Sequence, residues 1–166
     1  PSLQVQFTDR LTDPRKGSKF RFAGGWGGPF KLDQRYFYTE IESDFYHPLG
    51  NGILWAGSID WGKFLDTGDR DDAKLFYLGG FRSLRGYEAR SVSPSKDSNY
   101  VLNGDTIDVV YGPSPQYLRL SNEFRYNTNL VDNLQLVQFT DWGRIVDLDP
   151  EYHKAQEMGV GFGVRY

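Results

Sequence analysis

The feature that most constrains this chain is an alternation of side-chain character in segments about as long as a membrane-crossing strand. In segment 35–47, Phe37, Thr39, Ile41 and Phe45 alternate with Tyr36, Tyr38, Glu40, Glu42 and Asp44. A period of two marks a strand whose two faces meet different surroundings. Three carboxylates on one face cannot point into lipid, so that face is predicted to line a polar lumen while the aromatic and aliphatic face meets the membrane.

Six further segments repeat the pattern. Segment 2–8 sets Leu3, Val5 and Phe7 against Ser2, Gln4 and Gln6, and segment 18–26 sets Phe20, Phe22 and Trp26 against Lys19, Arg21 and Ala23. Segment 53–64 places Ile53, Trp55, Ile59 and Trp61 outward with Ser58 and Asp60 inward, and segment 116–127 opposes Leu118, Leu120, Phe124 and Tyr126 to Arg119, Ser121, Glu123 and Arg125. Segments 134–145 and 157–166 complete the set. In the last of these Gly159, Gly161 and Gly163 leave the inner face bare, so something bulky is expected to lie against it. Apart from the short first segment, each is close to the roughly 9–11 residues that cross a bilayer as a tilted strand.

The connections agree with this reading. TDRLTDPRKG, with Pro14 and Gly17, and Pro48-Leu-Gly-Asn-Gly52 read as turns, whereas residues 66–113 form a loop far longer than an ordinary hairpin connection. No apolar run approaches the ~18 residues of a spanning helix. The fold predicted is an all-β antiparallel transmembrane β-barrel of about seven strands, one domain over residues 1–166 with a functional loop at 66–113. Bacterial single-chain barrels have even strand numbers, and an open edge in lipid leaves backbone groups unpaired. The seven strands are therefore expected to be part of a larger or composite barrel.

The loop carries Leu75-Phe-Tyr-Leu-Gly-Gly-Phe-Arg-Ser-Leu-Arg-Gly-Tyr87. Gly79 and Gly80 permit a close turn, the cluster Leu75–Phe81 needs a surface to pack on, and Arg85, beside Gly86 and Tyr87, needs a carboxylate partner. Two lie in strand segments downstream: Glu123 in LSNEFRY, inward by parity, and Asp141 in FTDWG. Asp141 shares a face with Val137 and Phe139, an uneven alternation that suggests a bulge. A guanidinium presents a rigid fork of donors that can bridge two carboxylates, which lysine cannot reproduce.

The succession GGxxSxRGY, a strand-borne glutamate and then DxG resembles the superfamily of outer-membrane insertases and translocases of BamA, TamA and two-partner-secretion type. The resemblance implies that the loop folds back into the barrel and that Arg85, Gly86, Tyr87, Gly79, Gly80, Glu123 and Asp141 form a lock on the inner wall. It implies assembly or insertion of outer-membrane polypeptides, or their translocation, without covalent chemistry or a cofactor. The expected place is the bacterial outer membrane rather than an organelle. The expected partners are membrane lipid, client polypeptides, and accessory assembly subunits or a second copy completing the barrel.

Other readings carry less. A passive pore or a lipid or solute transporter would keep the same barrel, whereas a soluble lipocalin-type barrel would need an apolar lumen. Glu40, Glu42 and Asp44 could be catalytic carboxylates, but lumenal acids balanced by Arg21, Arg119 and Arg125 account for them without a pocket that shifts their pKa values. Asp66, Asp69, Asp71 and Asp72 could gather Ca2+, yet they lack the EF-hand spacing and read as a solvated acidic stretch. His47 and His153 lie by turns, far apart, and support no metal site. A formal charge of −3 without a basic block gives no nucleic-acid footprint, and the lack of cysteine excludes disulfides and thiolate metal sites.

Overall fold

A computed structural model describes residues 1–27, 36–65, 76–92, 101–102, 105–106, 114–128, 134–146 and 154–165. In chain order the strands are β1 (Ser2–Thr8), β2 (Gly17–Gly27), β3 (Tyr36–Gly50), β4 (Ile53–Phe64), β5 (Val101–Leu102), β6 (Asp105–Thr106), β7 (Gln116–Asn127), β8 (Gln135–Val146) and β9 (Lys154–Arg165). Seven of them form one antiparallel sheet in the order β1-β2-β3-β4-β7-β8-β9, while β5 and β6 pair only with each other. The long strands thus meander up and down, with the loop inserted between β4 and β7.

Side-chain distribution inverts the rule for water-soluble proteins. Large apolar residues are exposed on the convex face, among them Phe7, Phe22, Trp26, Ile41, Ile59, Leu120, Phe124 and Phe162, whereas Asp60, Arg125, Gln135 and Asp141 are buried on the concave one. An apolar exterior around a charged interior is stable only where lipid surrounds the sheet. Polar groups on the outer face then need internal partners. Asn122 has one, since its side-chain oxygen accepts the Trp55 indole N–H.

Register aligns the interior charges in rows across adjacent strands. Lys19 faces Asp44 and Arg21 faces Glu42 between β2 and β3, Glu42 faces Asp60 between β3 and β4, and Asp60 faces Arg119 between β4 and β7. The sheet is rolled far enough for Arg165 of β9 to reach Asp13 in the β1–β2 turn at 3.1 Å, with Arg125 of β7 3.7 Å from the same carboxylate. That turn is organised by Asp9, whose Oδ1 accepts the backbone N–H groups of Arg15 and Lys16 at 2.9 and 3.0 Å. Those two N–H groups, Arg15 first, hold the Asp9 carboxyl below its ordinary pKa.

The bulge expected in the segment around Asp141 is absent. β8 pairs with β7 and with β9 without a break from Gln135 to Val146. Its alternation looks uneven because the inward set Val137, Phe139 and Ile145 is apolar; Ile145 packs with Leu78 and Leu84 of the returning loop, and the Phe139 ring faces the Arg85 guanidinium. The register shift lies instead between Pro48 and Gly50, where the β3–β4 hairpin turns through Asn51 and Gly52 at positive φ. The last strand begins at Lys154, three residues before the expected start, and β3 runs on to Gly50. β6 ends at Thr106, and residues 107–113 lie outside the described residues.

Single cysteines test the two faces. Placed at Glu42 and Ser58 in the membrane-embedded protein, they should react with a membrane-impermeant maleimide through the aqueous interior; at Ile41, Ile59 and Leu120 they should stay unlabelled. Equal labelling of both sets would exclude this register.

Candidate functional site

Residues 76–92 return into the concave side of the sheet. Phe76 and Ser114 exchange backbone hydrogen bonds of 2.9 Å at the neck, Val92 N donates to the Leu78 carbonyl, and Gly80 N donates to the Tyr87 carbonyl at 3.0 Å. Gly79 and Gly80 hold φ of 107° and 99°, a region that L side chains disfavour. A side chain at Gly79 would also run into the Glu88 carbonyl oxygen. The paired glycines thus make the reversal that aims the rest of the segment inward.

An apolar cluster seats the segment. Leu78, Leu84 and Val92 pack with Ile145 of β8, all buried, with Tyr87, Tyr117 and Ala155 around them. Each fully buried leucine contributes about 1.5–3 kcal/mol relative to exposure. Gly143, two residues after Asp141, makes space for them: a Cβ there would lie 2.9 Å from Leu78 Cδ1.

Arg85 sits beyond this cluster, with four N–H donors of its guanidinium engaged. Nε donates to Asp141 Oδ2 at 2.7 Å and Nη2 to Asp141 Oδ1 at 2.8 Å, forming a bidentate fork. Nη1 donates to Glu123 Oε2 at 2.6 Å, and Nη2 also donates to Ser121 Oγ at 3.1 Å. The Arg85 backbone N–H reaches Asp141 Oδ2 at 3.1 Å, and the Ser121 hydroxyl donates to Asp141 Oδ1 at 2.6 Å. Asp141, with 0% exposure, therefore accepts four hydrogen bonds. The guanidinium carbon also stands 3.8 Å from the centroid of the Phe139 ring, within cation–π range.

Two other arginines extend the cluster. Arg125 donates through Nε to Glu123 Oε1 at 2.6 Å, so Glu123 bridges two cations. Arg119 is held by Asp60, and its Nη1 donates to the loop carbonyls of Arg82 at 3.2 Å and Ser83 at 3.0 Å. Tyr87 Oη lies 2.9 Å from Glu157 Oε2 and 3.1 Å from the Met158 carbonyl, so its proton serves one or the other acceptor on β9. The bond to Glu157 raises the phenol pKa, because it favours the protonated form. Gly86, at φ 94°, makes the bend between Arg85 and Tyr87.

The structure therefore brings Gly79, Gly80, Arg85, Gly86, Tyr87, Glu123 and Asp141 into one site. Glu40, Glu42 and Asp44 stand apart on the β3 wall, lining with Asp60, Arg82, Arg90 and Arg119 a cavity of about 620 Å3 between wall and loop. Arg21 pairs with Glu42 at 2.6 Å and Lys19 with Asp44 at 3.8 Å, whereas the register puts Ala23 and Gly62 opposite Glu40. The cations thus differ in part from those expected: Arg21 balances the β3 acids, but Arg119 serves Asp60 and Arg125 serves Glu123. Asp66, Asp69, Asp71, Asp72 and His153 lie outside the described residues. Sequence reasoning missed Ser121, Phe139, Gly143 and the contact of Arg119 with the loop. Parity placed Ser121 and Arg119 on the face of Glu123, but no local pattern said which inward side chains the loop would meet.

Residues 1–166 match the Omp85 superfamily domain. The chain is 30% identical over 171 residues to the outer membrane protein assembly factor BamA of Nitratidesulfovibrio vulgaris, an alignment covering 98% of this chain and 20% of that protein. It is 30% identical over 94 residues to the sorting and assembly machinery component 50 homolog of Mus musculus, covering 53% of this chain and 19% of the relative. The chain thus spans about a fifth of the length of the curated relatives it matches. Its fold is similar to the crystal structure of BamA from Haemophilus ducreyi lacking POTRA domains 1–3, with a TM-score of 0.70 at 19% identity over 88% of this chain and 29% of that one.

Removing one partner from this cluster leaves a buried charge uncompensated. Arg85→Ala should destabilise the seated loop by roughly 3–5 kcal/mol, read as faster proteolysis within residues 76–92 while the sheet stays intact. Arg85→Lys should recover little, because one ammonium cannot fork to two carboxylates. Adding Asp141→Asn to Arg85→Ala should recover part of the loss by removing the stranded charge. Wild-type protease resistance of Arg85→Ala would contradict the assignment.

Proposed function

The chain belongs to the Omp85 superfamily, and on that premise we propose that it acts in the insertion of polypeptides into the bacterial outer membrane, with the Arg85 loop as an internal lock. Its place as an integral outer-membrane β-barrel follows from the family. Both relatives above carry assembly in their names, which favours insertion over solute passage. The observation that carries the reading is the seating of residues 76–92 inside the sheet, with Arg85 fixed to Asp141 and Glu123. An unobstructed conduit has no use for such a plug.

In this proposal residues 1–166 work as one barrel unit and the loop 66–113 is its functional element. Gly79 and Gly80 turn the loop inward, and Gly86 lets Tyr87 follow Arg85 along the wall. Glu123 and Asp141 receive the guanidinium, and the clamp keeps β7 and β8 in a fixed relation to the loop. The clients are outer-membrane polypeptides, whose strands would gain main-chain hydrogen bonds by addition to a sheet edge. Lipid is the second partner, and accessory subunits would bind outside the lumen. The work is positional: strands are templated and moved, with no covalent bond made or broken.

Reconstitution of the native protein in liposomes tests this. Folding of a urea-denatured outer-membrane barrel, followed by its heat-modifiable mobility, should be faster than in empty liposomes, and Arg85→Ala should lose most of the acceleration. Ion conductance without any acceleration of client folding would favour the passive-pore reading instead.

A further inference from the structure

We infer that β9 is the third wall of the clamp, and that Gly159 and Gly161 are positioning residues that set how deeply Arg85 sits. The inference rests on the proposed locking role and adds to it a strand that carries none of the charged partners of Arg85. Three observations meet there. A Cβ at Gly159 would collide with the Arg85 carbonyl oxygen, so the loop backbone occupies the room left by the missing side chain. A Cβ at Gly161 would lie 2.6 Å from Cζ of Phe139, the residue whose ring faces the Arg85 guanidinium. Tyr87 then reaches Glu157 and the Met158 carbonyl just ahead of these glycines.

The backbone does not explain the glycines. Among the described glycines positive φ is confined to Gly17, Gly50, Gly52, Gly79, Gly80 and Gly86, so Gly159, Gly161 and Gly163 hold a conformation that alanine also adopts. Glycine inside a strand weakens it, and its usual reason is the close approach of another backbone or a ligand. At Gly159 that backbone is the loop's own. At Gly163, two residues further along the same face, a Cβ would meet nothing within 4 Å. Strand propensity is thus common to all three sites, and only contact with the clamp separates them.

The separation makes the test. Gly159→Ala, Gly161→Ala and Gly163→Ala are made in the native full-length protein in outer-membrane vesicles. Limited trypsin digestion is followed by mass spectrometry at the bonds after Arg82 and Arg85. Overpacking at Gly159 should speed cleavage there roughly tenfold or more, with Gly161→Ala intermediate because a ring can tilt where a carbonyl cannot. Gly163→Ala should be cut at the wild-type rate. In the Gly161→Ala background, Phe139→Leu should restore protection relative to Gly161→Ala alone. Wild-type protection in Gly159→Ala, or equal exposure in all three variants, would overturn the inference. If Gly159→Ala exposes the loop while client folding proceeds as in wild type, the seat stands and the locking role falls. If Arg85→Ala abolishes client folding while Gly159→Ala leaves the loop protected, the lock stands and the seat falls.

Discussion

The carboxylate of Asp141 is almost wholly withdrawn from solvent, and the site is organised around that fact. An ionised carboxylate removed from water must be matched by hydrogen bonds and an opposite charge, or it costs several kcal/mol. Here the match comes from Arg85, 56 positions earlier in the chain, together with the hydroxyl of Ser121 on the neighbouring strand. A buried ion pair of this kind is weak evidence for stability, since an apolar replacement of similar volume is often as stable. Its effect is asymmetric. Formation gains little, loss of one partner costs much, and the loop is consequently confined to one position instead of being spread over many. That asymmetry is the physical content of a lock.

The surrounding wall makes the asymmetry selective. Three acids on β3 and β4 are met by cations on the adjacent strands, Glu42 by Arg21, Asp44 by Lys19 and Asp60 by Arg119. These pairs satisfy the wall laterally and leave the carboxylates near Asp141 for the loop. Glu123 sits at the junction, accepting Arg85 on one oxygen and Arg125 on the other. Arg119 likewise serves both functions, holding Asp60 while donating to the loop carbonyls of Arg82 and Ser83. Wall and loop thus share donors, and displacement of the loop would leave unsatisfied groups at several points at once.

Much of this was legible in advance because a strand writes its environment into alternate residues. Glu40, Glu42 and Asp44 against Phe37, Ile41 and Phe45 give the facing of β3, and β4 and β7 follow from the same parity. An interior guanidinium needs carboxylates, but parity turns several acids inward, and the resemblance carried by GGxxSxRGY, a strand-borne glutamate and DxG is what linked Arg85 to Glu123 and Asp141. Parity failed where the interior stops being polar. Val137, Phe139 and Ile145 on the inward face of β8 made Asp141 look displaced, whereas the strand is regular, with Ile145 packed against Leu78 and Leu84 and Phe139 against the Arg85 guanidinium. Contacts between a returning loop and a wall depend on where the loop ends up, and no local period encodes that. The reach of Arg119 to the Arg82 and Ser83 carbonyls belongs to the same class.

What remains is how residues 76–92 achieve one fixed depth. Charge alone would not do it, because a flexible arginine can satisfy the same carboxylates from several backbone positions. The wall supplies the missing restriction by subtraction. Gly143 gives room to Leu78, Gly159 to the Arg85 carbonyl and Gly161 to the tip of Phe139, so a shallow groove on β8 and β9 matches the loop's contour. Close packing makes such a groove steep, since shifts of a few tenths of an ångström already meet repulsion. The backbone N–H of Arg85 donates to the same Asp141 oxygen as its Nε. That pair of bonds requires backbone and side chain to arrive together, which only the seated depth allows. Electrostatics therefore selects the residue and sterics selects its height, and the two meet at Asp141.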